Sequence, residues 1–482
     1  MNTCVEVVPL GGLGEFGMNC AALRCGQDML LIDAGIAFPS GNLGGLGIDL
    51  IVPDTDFLKQ HQEQLRGILL THGHEDHIGA VSYILNQVSV PVYGSRLTLG
   101  LVAERLKERG LYETAQLHPL ESRQRLDFGV FQVEPLHLTH SFPDAFCFAL
   151  GTPVGTLIWT GDFKFDQTPI DGRSSDMARL AQYGEEGVLA LFSDSTNSTV
   201  PGLSPSEFST REPLRSLFRK SPAKILISCF ASSIHRIQII LDLAREFHRR
   251  VVVRGRSMLS NIRVATELGY LRAAEDLLIS PRESENFAPS QLVVLAAGSQ
   301  GEPMSAMSRL AVNEVKNIAV EAGDTVILSA RIIPGNERLI SNMINHFCRR
   351  GARIYDSRSA PIHASGHGFR DDLKIMMNLT RPHFFVPIHG EFQQLKSHAL
   401  LAADQGISEE NIHLIENGDV LELGPSSAAV TGEVRVGRRF IDEGHRKEVD
   451  QLVVRDRRFL SEDGFLVVVL RMDRFGGDWI GE

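Results

Sequence analysis

Along roughly the first two hundred residues, short apolar runs alternate with glycine- and aspartate-rich turns. The runs at 4–10, 29–32, 67–71, 91–93, 131–138 and 156–160 have the length of strands. Helical spacing interrupts them at 78–85 and 97–109. Strands and helices therefore alternate, which predicts an α/β sandwich rather than an all-β barrel. The texture changes near Ser204-Pro205-Ser206-Glu207, where a capping sequence opens an amphipathic run over 206–218. From there to about residue 355 the chain repeats a simple unit: apolar strand at 223–228 then helix at 235–247, 251–253 then 260–268, 292–296 then 305–313, and 325–329 then 337–349. Short hydrophobic strands, each succeeded by a helix, predict a parallel, doubly wound sheet. Beyond 355, histidines again fall at the ends of apolar runs, as they do near the start, so the middle unit is expected to be an insertion. The implied boundaries are 1–208 and 356–427 for the two parts of the first unit, and 209–355 for the insertion. Residues 428–482 are expected to be a linker and a short terminal piece containing the apolar run 466–470.

Composition bounds the function more than it names it. The chain has 482 residues, 43% of them hydrophobic, which is enough for two or three packed domains. Its net charge of -11 argues against a generally basic nucleic-acid coat. Within 211–263, however, twelve Lys or Arg face three Asp or Glu, and such a stretch is expected to attract a phosphate backbone without reading its sequence. Six cysteines without a CxxC pair read as reduced thiols. No signal-like N-terminus and no run of about 18 apolar residues is present, so a cytoplasmic chain without membrane contact is expected.

The chemistry is concentrated in His72-x-His74-x-Asp76-His77, which comes after the strand at 67–71 and opens a helix. Three imidazoles and a carboxylate within six residues converge on one small volume and suit zinc. His140, Asp162 and His389 each lie just past an apolar strand, which makes a shared rim at the strand ends the natural place for further ligands. His61, His118, His248, His346, His398, His413 and His445 sit in less telling contexts and read as surface or structural. Small residues around Ser232, Ser233, Ser299, Gly301, Ser365 and Gly366 would let a phosphate approach backbone N–H groups and hydroxyls, although tight turns closing the inserted sheet would look the same. Gly12-x-Gly14-x-x-Gly17 formally matches a dinucleotide fingerprint. Residues 18–24 and 29–32 read as strand instead of the required helix, so a tight glycine hairpin is expected.

Taken together, His72-x-His74-x-Asp76-His77, Thr139-His140-Ser141, Thr160-Gly161-Asp162-Phe163-Lys164-Phe165 and Pro387-Ile388-His389-Gly390-Glu391 resemble the ligand motifs of the metallo-β-lactamase superfamily. The inserted unit narrows the resemblance. Ser193-Asp194-Ser195-Thr196-Asn197, Phe230-Ala231-Ser232-Ser233-Ile234-His235-Arg236, Gly298-Ser299-Gln300-Gly301-Glu302-Pro303-Met304, Ile333-Pro334-Gly335-Asn336-Glu337 and His363-Ala364-Ser365-Gly366-His367-Gly368 are similar to the β-CASP nuclease branch, and within it to bacterial ribonuclease J. The resemblance implies a metallo-β-lactamase αββα sandwich with an inserted β-CASP domain. It implies that His72, His74, His140 and Asp162 hold one zinc, and Asp76, His77, bridging Asp162 and His389 the other, with Mn2+ or Mg2+ as alternative metals. Asp76 would orient the attacking hydroxide, and His367 would assist the scissile phosphate or protonate the leaving oxygen. Ser232, Ser233, His235, Ser299, Gly301, His363, Ser365, Gly366 and His367 would bind the RNA phosphates, including a 5′-monophosphate.

The implied activity is metal-dependent hydrolysis of single-stranded RNA, endonucleolytic and also 5′-to-3′ exonucleolytic. A DNA-directed nuclease of the same branch and a non-catalytic RNA-binding subunit are the rival readings, and the complete ligand set argues against the second. The family's C-terminal domain supports homodimers. This chain matches only that domain's beginning, which leaves the homodimer and strong exonuclease activity open.

Overall fold

The structure is a computed structural model that describes residues 4–39, 43, 46–333, 335–444 and 447–462. An eight-stranded sheet runs, edge to edge, through Ala428–Glu433, Asp419–Leu423, Val5–Gly11, Cys20–Cys25, Asp28–Ile32, Leu65–Leu69, Val92–Gly94 and Leu117–Pro119. A six-stranded sheet runs through Phe384–Ile388, Val188–Asp194, Gly155–Trp159, Ala145–Thr152, Phe131–Leu138 and Leu126–Phe128. Because strand side chains alternate between faces, each sheet has an inner and an outer apolar set. Val7, Leu23, Leu30 and Ile32 of the first sheet meet Phe146, Phe148, Trp159, Phe192 and Val386 of the second in one buried core. The outer sets pack under helices: Leu31 and Ile68 against Val81, Ile84 and Leu97, and Leu136, Ile158 and Phe385 against Leu373, Met376 and Leu401. The result is a helix–sheet–sheet–helix sandwich.

Phe384–Ile388 pairs in parallel with Val188–Asp194, so the chain leaves the sandwich after one strand and returns beside it. The expected insertion lies between. Its sheet runs Leu278–Ile279, Arg250–Arg254, Leu292–Ala296, Ile225–Ser228, Thr325–Leu328 and Arg353–Tyr355, with every pairing parallel. Ile225, Ile227, Val251 and Val253 face Ile237 and Leu241 on one side, while Leu226, Val252 and Val294 face Met307, Leu310 and Phe347 on the other. Both faces are covered by helices, which accounts for the uniformly apolar strands. Ile225–Ser228 lies between Leu292–Ala296 and Thr325–Leu328, so the loops after these three parallel strands open on one rim.

Several expectations are refined. Val5–Gly11 and Cys20–Cys25 pair antiparallel, so the glycine motif is a hairpin, with Gly12, Gly14 and Gly17 at φ of 93°, 71° and 91°. The helix expected over 78–85 is two pieces, Glu75–Ile78 and Val81–Leu85. It breaks because the segment bonds sideways: the His77 carbonyl accepts from Ala34 N, and Ala80 N donates to the Ala34 carbonyl. The division at 427 cuts through a hairpin, since Ala428–Glu433 pairs with Asp419–Leu423 and extends the first sheet. Arg438–Asp442 likewise pairs with Leu50–Pro53. The apolar run 466–470 and Pro334 lie outside the described residues.

The basic stretch 211–263 does not form the open cationic face that its composition suggests. Arg236 is buried against Glu207, the Ser329 hydroxyl and the Ile362 carbonyl, and Arg249 is buried on the Ala223, Leu292 and Ser221 carbonyls. Lys224 is buried beside Asp324. Arg211 and Arg215 pair with Glu246, Arg250 with Asp276, and Arg263 with Glu104 and Glu267. Much of the charge is thus structural or neutralised. All six cysteines are free thiols, and no helix among the described residues is long and apolar enough to cross a membrane.

Candidate metal centre

Leu65–Leu69 delivers the chain to Thr71 and His72 at the edge of the sandwich, and the short helix Glu75–Ile78 then turns Asp76 and His77 back toward them. His140 comes after Phe131–Leu138, Asp162 after Gly155–Trp159, and His389 after Phe384–Ile388. All seven meet at one end of the two sheets. His72, His74, His140 and Asp162 form one group whose donor atoms lie within 4.8 Å of one another, and Asp76, His77, Asp162 and His389 form a second.

The spacing within these groups suits metal ligation. Tetrahedral zinc with N and O ligands places donor atoms roughly 3.3 Å apart. In the first group His74 Nδ1 and His140 Nε2 are 3.2 Å apart, and His72 Nε2 and His140 Nε2 lie 3.6 and 3.9 Å from Asp162 Oδ2. In the second, His77 Nε2 and His389 Nε2 lie 3.3 and 3.4 Å from Asp162 Oδ1, and 3.6 and 3.5 Å from Asp76 Oδ2. His72 Nε2 and Asp162 Oδ1 are buried without a hydrogen-bond partner. Leaving such atoms unpaired costs on the order of 1–3 kcal/mol each, more for a charged group. A cation held between them would remove that cost, so the residues present fit a metal.

A surrounding layer holds these rings in place. His77 Nδ1 is 2.7 Å from Asp33 Oδ2, and Asp33 also accepts from the Thr71 backbone and hydroxyl. His140 Nδ1 is 2.8 Å from the Gly366 carbonyl, and His389 Nδ1 is 2.7 Å from the Thr196 hydroxyl. With each Nδ1 occupied, each Nε2 faces the ligand cluster. Burial holds the pKa values of His72, His74 and His140 below the usual imidazole range, with His74 at about 4, which keeps these rings neutral as ligands must be. Burial also opposes charge on His77, but Asp162, Asp33 and Asp76 override it and raise that ring's pKa. Asp33→Asn is expected to lower metal affinity about 10–100-fold with far-UV circular dichroism unchanged, as read by chelator competition.

The structure places the other sequence-derived candidates unevenly. His367 reaches the centre: its Nε2 is 3.8 Å from Asp162 Oδ2, and its Nδ1 is 2.8 Å from Asp194 Oδ2, a hydrogen-bond distance. Ser365 accepts from the Asn197 amide at 2.9 Å and from His367 N at 3.1 Å. Gly366 packs against His140, where an added Cβ would fall 2.6 Å from the ring carbon Cε1, so its smallness serves that contact. Ser232 and Ser233 precede the helix Ile234–Glu246, and Ser299 and Gly301 come after Leu292–Ala296, all on the rim of the inserted sheet. His235 is turned toward Asp171, with 3.5 Å between Nε2 and Oδ2. His363 is pushed down to about 3 by burial and by the nearby Arg236. Asp33 and Asn19 belong to none of the sequence motifs, and Asp194 and Thr196 stand in one without an assigned role; the Asn19 side chain donates to the Asp76 carbonyl.

The paired-sheet sandwich, the parallel-sheet insertion and five histidines with two aspartates at the sheet ends define a metallohydrolase of the metallo-β-lactamase type. Comparison with family models agrees: residues 14–224 match the metallo-β-lactamase superfamily, 222–347 the ribonuclease J β-CASP domain, and 358–414 the Zn-dependent metallo-hydrolase RNA specificity domain. Ribonuclease J of Synechocystis sp. is 40% identical over 98% of this chain and 73% of its own length. Ribonuclease J2 of Bacillus subtilis is 37% identical over 98% of this chain and 84% of its own, and ribonuclease J of Thermus thermophilus 39% over 96% and 82%. The chain belongs to the ribonuclease J family. A solved Enterococcus faecalis protein of unknown function shares the fold, with a TM-score of 0.59 at 14% identity over 87% of this chain and 100% of its own.

Proposed function

We propose that this chain is a metal-dependent ribonuclease that hydrolyses RNA phosphodiester bonds. The observation that carries the reading is the pair of donor groups sharing Asp162 at ligand spacing. His72, His74, His140 and Asp162 would hold one zinc ion, and Asp76, His77, Asp162 and His389 the other, with Mn2+ or Mg2+ as substitutes. Bound there, two divalent ions supply positive charge for the phosphate oxygens and acidify the attacking water. Asp76, one-third exposed at the mouth of the site, orients that water toward phosphorus. His367, steadied by Asp194, places a proton on the leaving oxygen. The Ser365–His367 turn and the rim loops bearing Ser232, Ser233, Ser299 and Gly301 take the phosphates of a single strand, with a 5′-monophosphate as the preferred end.

The deciding experiment incubates metal-loaded protein with matched RNA and DNA strands carrying 5′ or 3′ labels, with and without chelator. RNA loss that outpaces DNA loss and stops on chelation is expected. DNA cut as fast as RNA would redirect the substrate reading, and no cleavage of either would remove it. Separately, 5′-monophosphorylated RNA is expected to be degraded faster than its 5′-hydroxyl counterpart.

A further inference from the structure

Arg331 stands apart from the other cations of the inserted unit. It lies just past the strand Thr325–Leu328, on the rim shared by the Ser232–Ser233 and Ser299–Gly301 loops, and its side chain is exposed. It is nevertheless held from two directions. The buried Gln300 side chain donates to the Arg331 carbonyl at 2.9 Å and accepts from Ile333 N at 2.8 Å, which fixes the backbone on both sides. The guanidinium Nη1 donates to Asn197 Oδ1 at 2.9 Å. Asn197 belongs to the sandwich, and its amide nitrogen donates in turn to Ser365 Oγ at 2.9 Å and to the His367 carbonyl at 3.2 Å. One side-chain amide therefore spans the distance between the guanidinium and the turn that carries His367.

No carboxylate among the described residues pairs with Arg331, in contrast to the acid-paired Arg211, Arg215, Arg236, Arg250 and Arg263. A guanidinium has five donors, and the structure accounts for one of them here. An anchored, exposed and unneutralised fork beside the proposed catalytic turn is suited to an incoming phosphate, because its side-chain freedom is already reduced before binding.

We propose that Arg331 contacts a phosphate of the RNA neighbouring the scissile one, and that Asn197 holds the guanidinium for that contact while joining the inserted unit to the His367 turn. The assignment rests on the ribonuclease reading. It makes Arg331 a binding residue that lowers KM, without a part in bond making.

The experiment compares wild type, Arg331→Gln and Arg331→Lys, each metal-loaded, on a 5′-monophosphorylated oligoribonucleotide across a range of salt. Loss of one phosphate contact is expected to raise KM of the Gln variant on the order of five- to tenfold, with kcat nearly unchanged. The slope of log(kcat/KM) against log salt should become shallower by about 0.7, the value for one phosphate on a single strand. The Lys variant retains the charge and should recover the slope. A Gln variant with wild-type KM and slope overturns the proposal. So does a fall in kcat with KM and slope unchanged, which would mark a purely structural brace. If the wild-type chain leaves RNA intact, the ribonuclease reading falls as well; an active wild type beside an unaltered Gln variant removes this inference alone.

Discussion

Purified Asp162→Ala is expected to cleave RNA ~10^3-fold or more slowly than wild type, with its secondary structure intact. On the proposed two-metal reading, several kcal/mol of charge stabilisation at the phosphate would depend on the metal pair, and each 1.36 kcal/mol is tenfold in rate. Asp162 is the member common to both donor groups: one oxygen faces His72 and His140, the other His77 and His389. Removing it takes a ligand from both positions at once and leaves imidazoles facing one another without a central anion. His72→Ala removes a donor from one group only, so it should lose less activity and less bound metal. Elemental analysis beside single-turnover kinetics tests the ranking. Full activity in Asp162→Ala, or equal metal content in all three proteins, would sink the assignment of Asp162 as the shared ligand.

The sandwich and the insertion were legible because their apolar patterns are local. Strands buried on both faces read as unbroken apolar runs, and 337–349 coincides with the observed helix Glu337–Arg349. Failures came where long-range pairing overrode local pattern. The helix expected at 78–85 breaks because residues 77 and 80 bond to Ala34, more than forty positions upstream, and no 3.6-residue periodicity carries that information. The division at 427 failed for the same reason, since the glycine- and serine-rich segment 424–427 is the turn of a hairpin instead of a linker. The basic stretch misled because counting charges along a segment ignores what other elements supply: Glu207 for Arg236 and Glu104 for Arg263 both come from outside it.

The candidate site divides along a similar line. His72 to His77 announce themselves by density, and His140, Asp162 and His389 by their shared position after strands. Asp33 shares that position, directly after the strand Asp28–Ile32, yet nothing else in the sequence singles it out. Its importance lies in the contacts to His77 and Thr71. Its backbone φ of 61°, rare for a residue other than glycine, becomes visible only with the fold. Arg331 is similarly silent in sequence, one arginine among many, until its anchor on Asn197 sets it apart.

Asp194→Asn is expected to move the alkaline side of the activity profile to lower pH, and His367→Gln to abolish that limb together with about 10^2–10^4-fold of the rate. Burial alone would hold the His367 pKa down, but the carboxylates of Asp194 and Asp162 outweigh it and raise the ring above the ordinary imidazole range. A residue that gives a proton to the leaving oxygen must be protonated, so its contribution is present below its pKa and lost as pH rises through it. Neutralising Asp194 removes one stabiliser of the protonated ring, lowers that pKa, and brings the loss to lower pH. Asp194 also lies 3.4 Å from His389 Nδ1, so metal content must be measured in the same samples to separate proton transfer from ligation. A phosphodiester with a nitrophenolate leaving group separates them further, because such a group departs without a proton. It should restore much of the lost rate to His367→Gln but none to Asp162→Ala. If both variants recover alike, or neither does, His367 is not the proton donor, and its bond to Asp194 serves to hold the two domains' shared turn in place.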